Sequence, residues 1–273
     1  MSARGETTDD GGTGSGPPWA VPTAAILAAV GILVVTNGVP ARAEAELTGP
    51  VPRIHPYKPV DPAKPRRPAD PLKGHTRVAT LRGNAPRYGS PGKRAKGTVP
   101  ARWFGRPSVL PVTATKAGWV KVRLAQRPNG STAWLRRGDV TLGSTPYRIV
   151  IDLSSTHLYL YRNGRRIMAA AAGVGARDDP TPRGTFFVAF RQPPPRPNSG
   201  YGRFILVTSA HSPKIADWQG SGDAVIGIHG PLGKKRAIGR NGARISHGCI
   251  RLYDKSLNRL GKVPPGTPIR IRR

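Results

Sequence analysis

Residues 245–252 read Ile-Ser-His-Gly-Cys-Ile-Arg-Leu and contain the only cysteine of this 273-residue chain. Cys249 has His247 two positions before it and Arg251 two positions after it. A thiol attacks as its thiolate, and a neighbouring imidazole or guanidinium favours that form. The segment therefore predicts a cysteine nucleophile.

A second His-Gly pair follows the apolar stretch 224–228. It consists of His229 and Gly230, and His229 lies 18 positions before His247. Glycines let backbone approach a reacting carbonyl closely, and their amide N–H groups can stabilise an oxyanion. One cysteine with one or two histidines within reach is the minimal site for acyl transfer.

These two segments together resemble the signature of the L,D-transpeptidases, whose catalytic domain is called YkuD-like. The matching residues are His229-Gly230 and the run from Ser246 to Leu252, and the resemblance extends back to about Pro146 through Thr181–Phe186. It implies an enzyme that cross-links peptidoglycan stem peptides. Its nucleophile, Cys249, would attack the carbonyl of the diamino acid at the third stem position and release D-alanine. A side-chain amine of a neighbouring stem would then capture the thioester.

The resemblance also implies a role for each site residue. His229 would be the general base and acid, oriented by backbone near Gly230, and His247 would support the thiolate. The amides of Gly248 and Cys249 would stabilise the oxyanion. Substrate binding would fall to two further residues, Ser246 and Arg251, and the arginine would hold a substrate carboxylate or the thiolate itself.

Other functions remain open at this stage. If water captures the acyl group, the same site is an L,D-carboxypeptidase. A non-catalytic cell-wall binding protein is a second alternative, which the intact cysteine and both His-Gly pairs argue against. A zinc site would draw on His211, His229, His247 and Cys249, but the sequence has neither Cys-x-x-Cys nor His-Glu-x-x-His spacing. We therefore expect no metal and no cofactor.

The segment 146–273 is expected to be a catalytic domain built almost entirely of strands. Apolar residues alternate at Ile149, Ile151 and Leu153, and Asn163-Gly164 is a strong hairpin signal. Only residues 254–260 have a helical pattern. We predict an all-β fold, an L,D-transpeptidase-type β-sandwich with one or two short helices. The basic, glycine-containing loop 233–244 either recruits carboxylate-bearing substrate or is a solvated surface loop.

Residues 76–145 predict a separate small β-barrel. Trp119, Val120, Val122 and Leu124 alternate with basic residues, and Asn129-Gly130 predicts a hairpin turn. The pattern resembles bacterial SH3-like modules. With 14 Lys/Arg against one Asp, the module is suited to an anionic cell-wall polymer. A purely structural spacer remains the alternative.

The first 75 residues differ in composition from the rest. Residues 1–18 are polar and predicted to be disordered, and the apolar run 19–39 ends near Ala41-Arg42-Ala43, so 1–43 predicts an export signal or a retained membrane anchor. Within 44–75, proline recurs at every third position from Pro56 to Pro71. This period is typical of a polyproline II rod, and a disordered linker is the alternative.

The overall charge of +30 favours anionic partners. An exported chain meets wall carboxylates and anionic wall polymers first, and the sequence lacks the aromatic clusters that stack on bases. We therefore expect peptidoglycan and wall polymers as partners, no nucleic acid, and contact with the membrane only through the N-terminal segment. The expected location is the cell wall or the outer face of the plasma membrane. A single cysteine excludes an intramolecular disulfide.

Overall fold

The computed structural model describes residues 74–218, 221–240 and 242–273. The predicted export segment and most of the proline-rich linker lie outside these ranges and remain predictions. The first nine strands, all within residues 76–145, are β1 Thr76–Leu81, β2 Ala85–Tyr88, β3 Ala95–Val99, β4 Arg102–Trp103, β5 Arg106–Pro107, β6 Val109–Lys116, β7 Trp119–Arg123, β8 Thr132–Arg136 and β9 Val140–Thr145. The rest of the chain contributes β10 Tyr147–Asp152, β11 His157–Arg162, β12 Arg165–Gly175, β13 Gly184–Gln192, β14 Ile205–His211, β15 Val225–His229, β16 Arg244–Ser246, β17 Ile250–Leu252, the helix α1 Asp254–Arg259, and β18 Pro268–Arg272.

The first module, residues 76–145, is a seven-stranded sheet in the order β3-β2-β8-β7-β6-β1-β9, with β4 and β5 forming a separate hairpin. Val120 and Val122 point into its core and are almost fully buried, as their alternation with Lys121 predicted. The Asn129-Gly130 turn does connect the antiparallel pair β7–β8. The likeness of this module to SH3-like domains remains a prediction.

The second module, residues 146–273, is a nine-stranded sheet in the order β11-β10-β18-β13-β14-β15-β17-β12-β16. Because β12 pairs with β17 through Ala172 and Gly173 and with β11 through 165–171, eight of these strands close into a ring. The all-β prediction is confirmed, with one short α-helix. The two-sheet sandwich is corrected to a closed arrangement, because the 11-residue β12 is long enough to join both ends of the sheet.

Local sequence explains why these strands form where they do. Asn163 and Gly164 both have positive φ, 49° and 75°, which is the geometry of the tight hairpin turn that Asn-Gly favours. Inside the ring, apolar side chains such as Ile149 and Ile269 form the core. The outward residues of β13 and β14, including Phe187 and Val207, are also buried, because they join the core of the first module. The two modules therefore share one apolar contact surface.

Within the described ranges, no helix is long and apolar enough to cross a membrane. The helix α1 packs Leu257 into the core of the second module.

Candidate functional site

The predicted histidine lies at the end of β15, and the predicted cysteine lies directly before the neighbouring strand β17. Strands β15 and β17 run parallel, with Ile228 opposite Ile250 and His229 opposite Arg251. Cys249 comes directly before β17, so it lies beside the middle of β15. Two segments that are about 20 residues apart in the chain are thus brought side by side by one parallel ladder.

His229 is held in a single orientation. Its side chain is buried, with only 3% of the residue exposed, and Nδ1 lies 2.8 Å from the carbonyl oxygen of Gly230. Because a carbonyl oxygen can only accept, Nδ1 carries the proton in this bond and Nε2 has the free lone pair. Burial, together with the positive charge of Arg251, lowers the pKa of His229 to about 4 despite the Gly230 contact. His229 is therefore a neutral base at neutral pH.

The Cys249 thiol is half-buried and faces backbone rather than an imidazole. Its sulfur accepts a hydrogen bond from the amide N–H of Gly227, at 3.4 Å. Burial raises the pKa of the thiol, and the Gly227 amide and Arg251 offset only part of that effect. The resting site therefore contains a protonated thiol together with a neutral His229.

Two side chains and one glycine fix the turn that presents Cys249. Ser246 is buried, donates to the Cys249 carbonyl at 2.6 Å and accepts from the Gly248 amide at 3.2 Å. Thr181 donates to the Gly248 carbonyl at 2.7 Å and accepts from Gly175 on β12. Gly248 has φ +113°, and a Cβ there would lie 2.7 Å from Ile226, so only glycine fits. The predicted substrate role of Ser246 remains a prediction, because the structure shows its hydroxyl bonded within the turn.

His247 lies at the mouth of the site rather than inside it. Its side chain is 61% exposed, and Nε2 is 3.8 Å from a carboxylate oxygen of Asp179. Its ring packs against Trp218, with centroids 5.2 Å apart. The support of the thiolate by His247 remains a prediction.

Arg251 brings a buried positive charge beside the sulfur. The residue is only 8% exposed, and its Nε has no hydrogen-bond partner among the described residues. One terminal nitrogen makes a long, 3.4 Å contact with the Leu232 carbonyl. The charge favours the thiolate of Cys249 and the ionised form of Tyr201. A buried guanidinium with an unpaired Nε is suited to pairing with an anion.

Gly230 and Tyr201 form a contact that the sequence did not reveal. The amide of Gly230 donates to the Tyr201 carbonyl at 2.7 Å, and a Cβ on Gly230 would lie 2.7 Å from the amide nitrogen of Gly202. Glycine is therefore required at position 230 for close packing of two backbone segments. This packing brings the Tyr201 ring to 4.8 Å from the His229 ring. The glycines on either side of Tyr201 are the signal that could have indicated a close backbone approach there.

The site opens into a pocket of about 440 Å³. Its polar lining includes the predicted site residues His229, Ser246, His247, Cys249 and Arg251. Its apolar lining consists of aromatic and aliphatic side chains that include Phe104, Phe190, Ile205, Val207, Ile215 and Trp218. Phe104 belongs to the first module, so both modules line the pocket.

The residues considered for zinc do not come together. Among the described residues, no group of three or more His, Cys, Asp or Glu side chains could hold a metal ion. His211 is buried at the contact between the modules, where Nε2 donates to the Ala125 carbonyl at 2.6 Å. This contact lies between the modules and holds His211 on the Ala125 backbone. The described residues therefore give the zinc alternative no support.

Comparison with protein families gives a match in the second module. The L,D-transpeptidase catalytic domain model, YkuD, matches residues 146–271. A YkuD protein of Bacillus licheniformis, named as an L,D-transpeptidase, is 32% identical over 127 residues, which cover 46% of this chain and 66% of the relative. The corresponding protein of Bacillus subtilis is 30% identical over 129 residues, covering 47% of this chain and 67% of the relative. The chain thus spans about two thirds of the length of these relatives.

The comparison with solved structures also gives matches, including two L,D-transpeptidases. An L,D-transpeptidase from Mycobacterium smegmatis is 19% identical, covers 60% of this chain and 82% of its own, and has a TM-score of 0.38. The catalytic domain of an E. faecium L,D-transpeptidase, acylated by ertapenem, is 23% identical. The match covers 47% of this chain and 98% of that domain, with a TM-score of 0.35.

Proposed function

This chain belongs to the L,D-transpeptidase (YkuD) family, and from that membership we propose that it is an exported enzyme that cross-links peptidoglycan stem peptides through a thioester on Cys249. The observation that carries the proposal is the pairing of β15 with β17, which brings a neutral base and the single thiol into one open pocket. The substrate would be a tetrapeptide stem with a diamino acid at its third position.

In the proposed reaction, His229 removes the thiol proton as the sulfur attacks the carbonyl carbon of the diamino acid. The lone pair on Nε2 suits this role, because Nδ1 is already engaged with Gly230. The C–S bond forms and the tetrahedral oxyanion develops. Protonated His229 then gives its proton to the departing amine of D-alanine as the C–N bond breaks.

We assign two groups to stabilise the negative charge that develops in this step. The Gly248 amide already donates to Ser246, so we assign the oxyanion contact mainly to the Cys249 amide. Arg251 would stabilise the charge that develops on sulfur, since its guanidinium is buried next to Cys249 and incompletely paired. This favours the thiolate role of Arg251 over the capture of a substrate carboxylate.

The second half-reaction decides between transpeptidase and carboxypeptidase. The side-chain amine of another stem would attack the thioester, with neutral His229 accepting its proton. Water attacking at the same place would give L,D-carboxypeptidase activity. Both reactions begin from the same Cys249 thioester, so both outcomes belong in the test.

Mass spectrometry of the intact protein tests the proposal directly. On incubation with a stem tetrapeptide, we expect an adduct on Cys249 equal to the tripeptide acyl group, with free D-alanine released. A Cys249→Ala variant is the control and should show neither. Adding a second stem as amine acceptor should yield a cross-linked dimer, whereas tripeptide alone would indicate the carboxypeptidase. If the wild-type protein releases no D-alanine and gains no adduct, the proposed function is wrong and wall binding becomes the better account.

A further inference from the structure

The hairpin β4–β5 of the first module reaches the catalytic pocket. Its two-residue turn is Phe104-Gly105, and the Phe104 ring lies against Phe190 of the second module, with centroids 6.0 Å apart. The neighbouring Trp103 ring meets Phe190 edge-on at 5.8 Å. Phe104 therefore forms part of the apolar lining of the pocket, as one residue of a packed aromatic cluster.

The conformation of Phe104 is unfavourable for its residue type. Its φ is +49° and that of Gly105 is +71°, a turn geometry in which Asn-Gly is strongly preferred. A bulky residue at positive φ is unusual, and such conformations occur preferentially at functional sites. Local turn chemistry alone does not explain a phenylalanine here, whereas its position in the pocket does.

A second set of contacts joins the first module to the strand and loop beside the pocket. Arg127 donates to three acceptors of the second module: a carboxylate oxygen of Asp223 at 2.8 Å and the carbonyls of Ser212 and Ile215, each at 3.1 Å. The side-chain amide of Asn129 donates to the His211 carbonyl at 2.8 Å and accepts from the His211 amide at 2.9 Å. Together with the bond from His211 Nε2 to the Ala125 carbonyl, six hydrogen bonds thus hold 211–215 and Asp223 against the first module.

The charge on Asp223 is maintained in this contact. His211 Nδ1 lies 2.7 Å from the second carboxylate oxygen of Asp223. Burial alone would raise the pKa of Asp223, but the contacts with His211, the Ala224 amide and Arg127 more than offset it, so the pKa lies below its ordinary value. Arg127 therefore faces an ionised partner at neutral pH.

The segment fixed by Arg127 carries two residues of the pocket wall. Ile215, whose carbonyl accepts from Arg127, lines the pocket. Three positions later, Trp218 lines the same pocket and packs against His247, and its amide donates to the Asp223 carbonyl at 3.1 Å. Anchoring this segment at both Ser212 and Asp223 sets where Trp218 can lie.

We propose that the substrate site is composite: the first module forms one of its walls with Phe104 and, through Arg127 and Asn129, positions the wall that carries Ile215 and Trp218. The wall binds an apolar part of the acyl donor while the reactive carbonyl lies at Cys249. The inference rests on the proposed function for the identity of the acyl donor. The claim that the first module bounds the pocket does not depend on the proposed function.

Single substitutions in the full chain test this arrangement. Phe104→Asn removes the ring but introduces the residue that the turn prefers, so the hairpin is retained. Arg127→Gln removes the three-acceptor contact. Two controls in the first module lie away from the pocket: Trp119→Ala removes a partly buried aromatic ring, and Arg82→Gln removes an exposed arginine with one side-chain hydrogen bond, to Thr141.

The readout is the rate of Cys249 acylation by the stem tetrapeptide, compared with its alkylation by iodoacetamide. We expect Phe104→Asn and Arg127→Gln to lower kcat/KM for acylation by about tenfold or more, mainly through KM, because a misplaced wall misorients the substrate. Alkylation by the small reagent should stay within about twofold of wild type, since it needs only the thiol. The two control variants should match wild type in both assays.

Two results would overturn the composite site. Unchanged acylation by both test variants would show that the wall does not contact substrate, and an equal loss of acylation and alkylation would show general damage to the thiol environment. A third measurement separates this inference from the proposed function. In wild type, N-benzylmaleimide should react with Cys249 faster, relative to N-methylmaleimide, than it does with free cysteine, and Phe104→Asn should lower that ratio at least threefold. If no tetrapeptide adduct ever forms, this ratio still decides whether Phe104 bounds the pocket.

Discussion

The protonation state of His229 can be tested through the stability of the fold. Its pKa of about 4 in the folded protein lies well below the ordinary value of 6.5. As pH falls from 7.5 to 4.5, the unfolded chain gains a proton at this position and the folded chain largely does not. Stability rises with pH wherever the unfolded state binds more protons, so it must fall on acidification. With one pKa unit equal to about 1.4 kcal/mol, the loss of unfolding free energy assigned to His229 is about 2.5 kcal/mol over this range.

Urea unfolding of the wild type and of His229→Gln, each at pH 7.5 and 4.5, isolates that contribution. Glutamine keeps a donor for the Gly230 carbonyl but does not titrate, and every other group is common to both proteins. We expect the wild type to lose about 2.5 kcal/mol more than the variant between the two pH values. An equal loss in both proteins would mean that the His229 pKa is ordinary. The neutral base in the proposed mechanism would then lack its physical foundation.

Three further outcomes follow from the site and from the charge. The rate of Cys249 alkylation by iodoacetamide should rise about tenfold per pH unit between pH 6 and 8, because burial keeps the thiol protonated; a plateau over this range would instead indicate a thiolate–imidazolium pair. Gly230→Ala should lower the unfolding free energy by about 1–3 kcal/mol and reduce acylation, because its Cβ would overlap the backbone at Gly202. The control Gly138→Ala, at a position with open space around it, should have little effect on either measurement. Retention on isolated cell walls should fall steeply from 50 to 500 mM salt if exposed cationic charge binds an anionic wall polymer; salt-independent retention would contradict this interpretation.

Local patterns predicted much of the fold. The Asn163-Gly164 turn and the alternation in β7 and β10 depend on neighbouring residues alone, and the structure has each of them where expected. The segment around Cys249 was also recognisable, because its turn requires particular residue types at fixed spacing. Gly248, for instance, has a φ that other residues rarely adopt.

Long-range arrangements were not predictable in the same way. The sequence of β13 contains consecutive apolar residues, Phe186 and Phe187, which face two different cores. That run predicts burial on both faces of the sheet, but it does not predict that the first module covers the outer face. Likewise, Asn129 was recognised as a turn residue, whereas its bonds to His211 join positions 82 residues apart. Contacts of this kind depend on how whole sheets pack, which a local period does not contain.

The parallel pairing of β10 with β18 has a consequence for the order in which the protein folds. Ile149 lies opposite Ile269 and Ala172 opposite Leu252, so the ladders that close the ring join residues about 120 and 80 positions apart. Chain entropy must be lost before such contacts become favourable, and proteins rich in them fold in about milliseconds to seconds. The strand β17, directly after Cys249, has β12 and β15 as neighbours. We therefore expect the thiol to acquire its catalytic surroundings late, when the end of the chain docks and the ring closes.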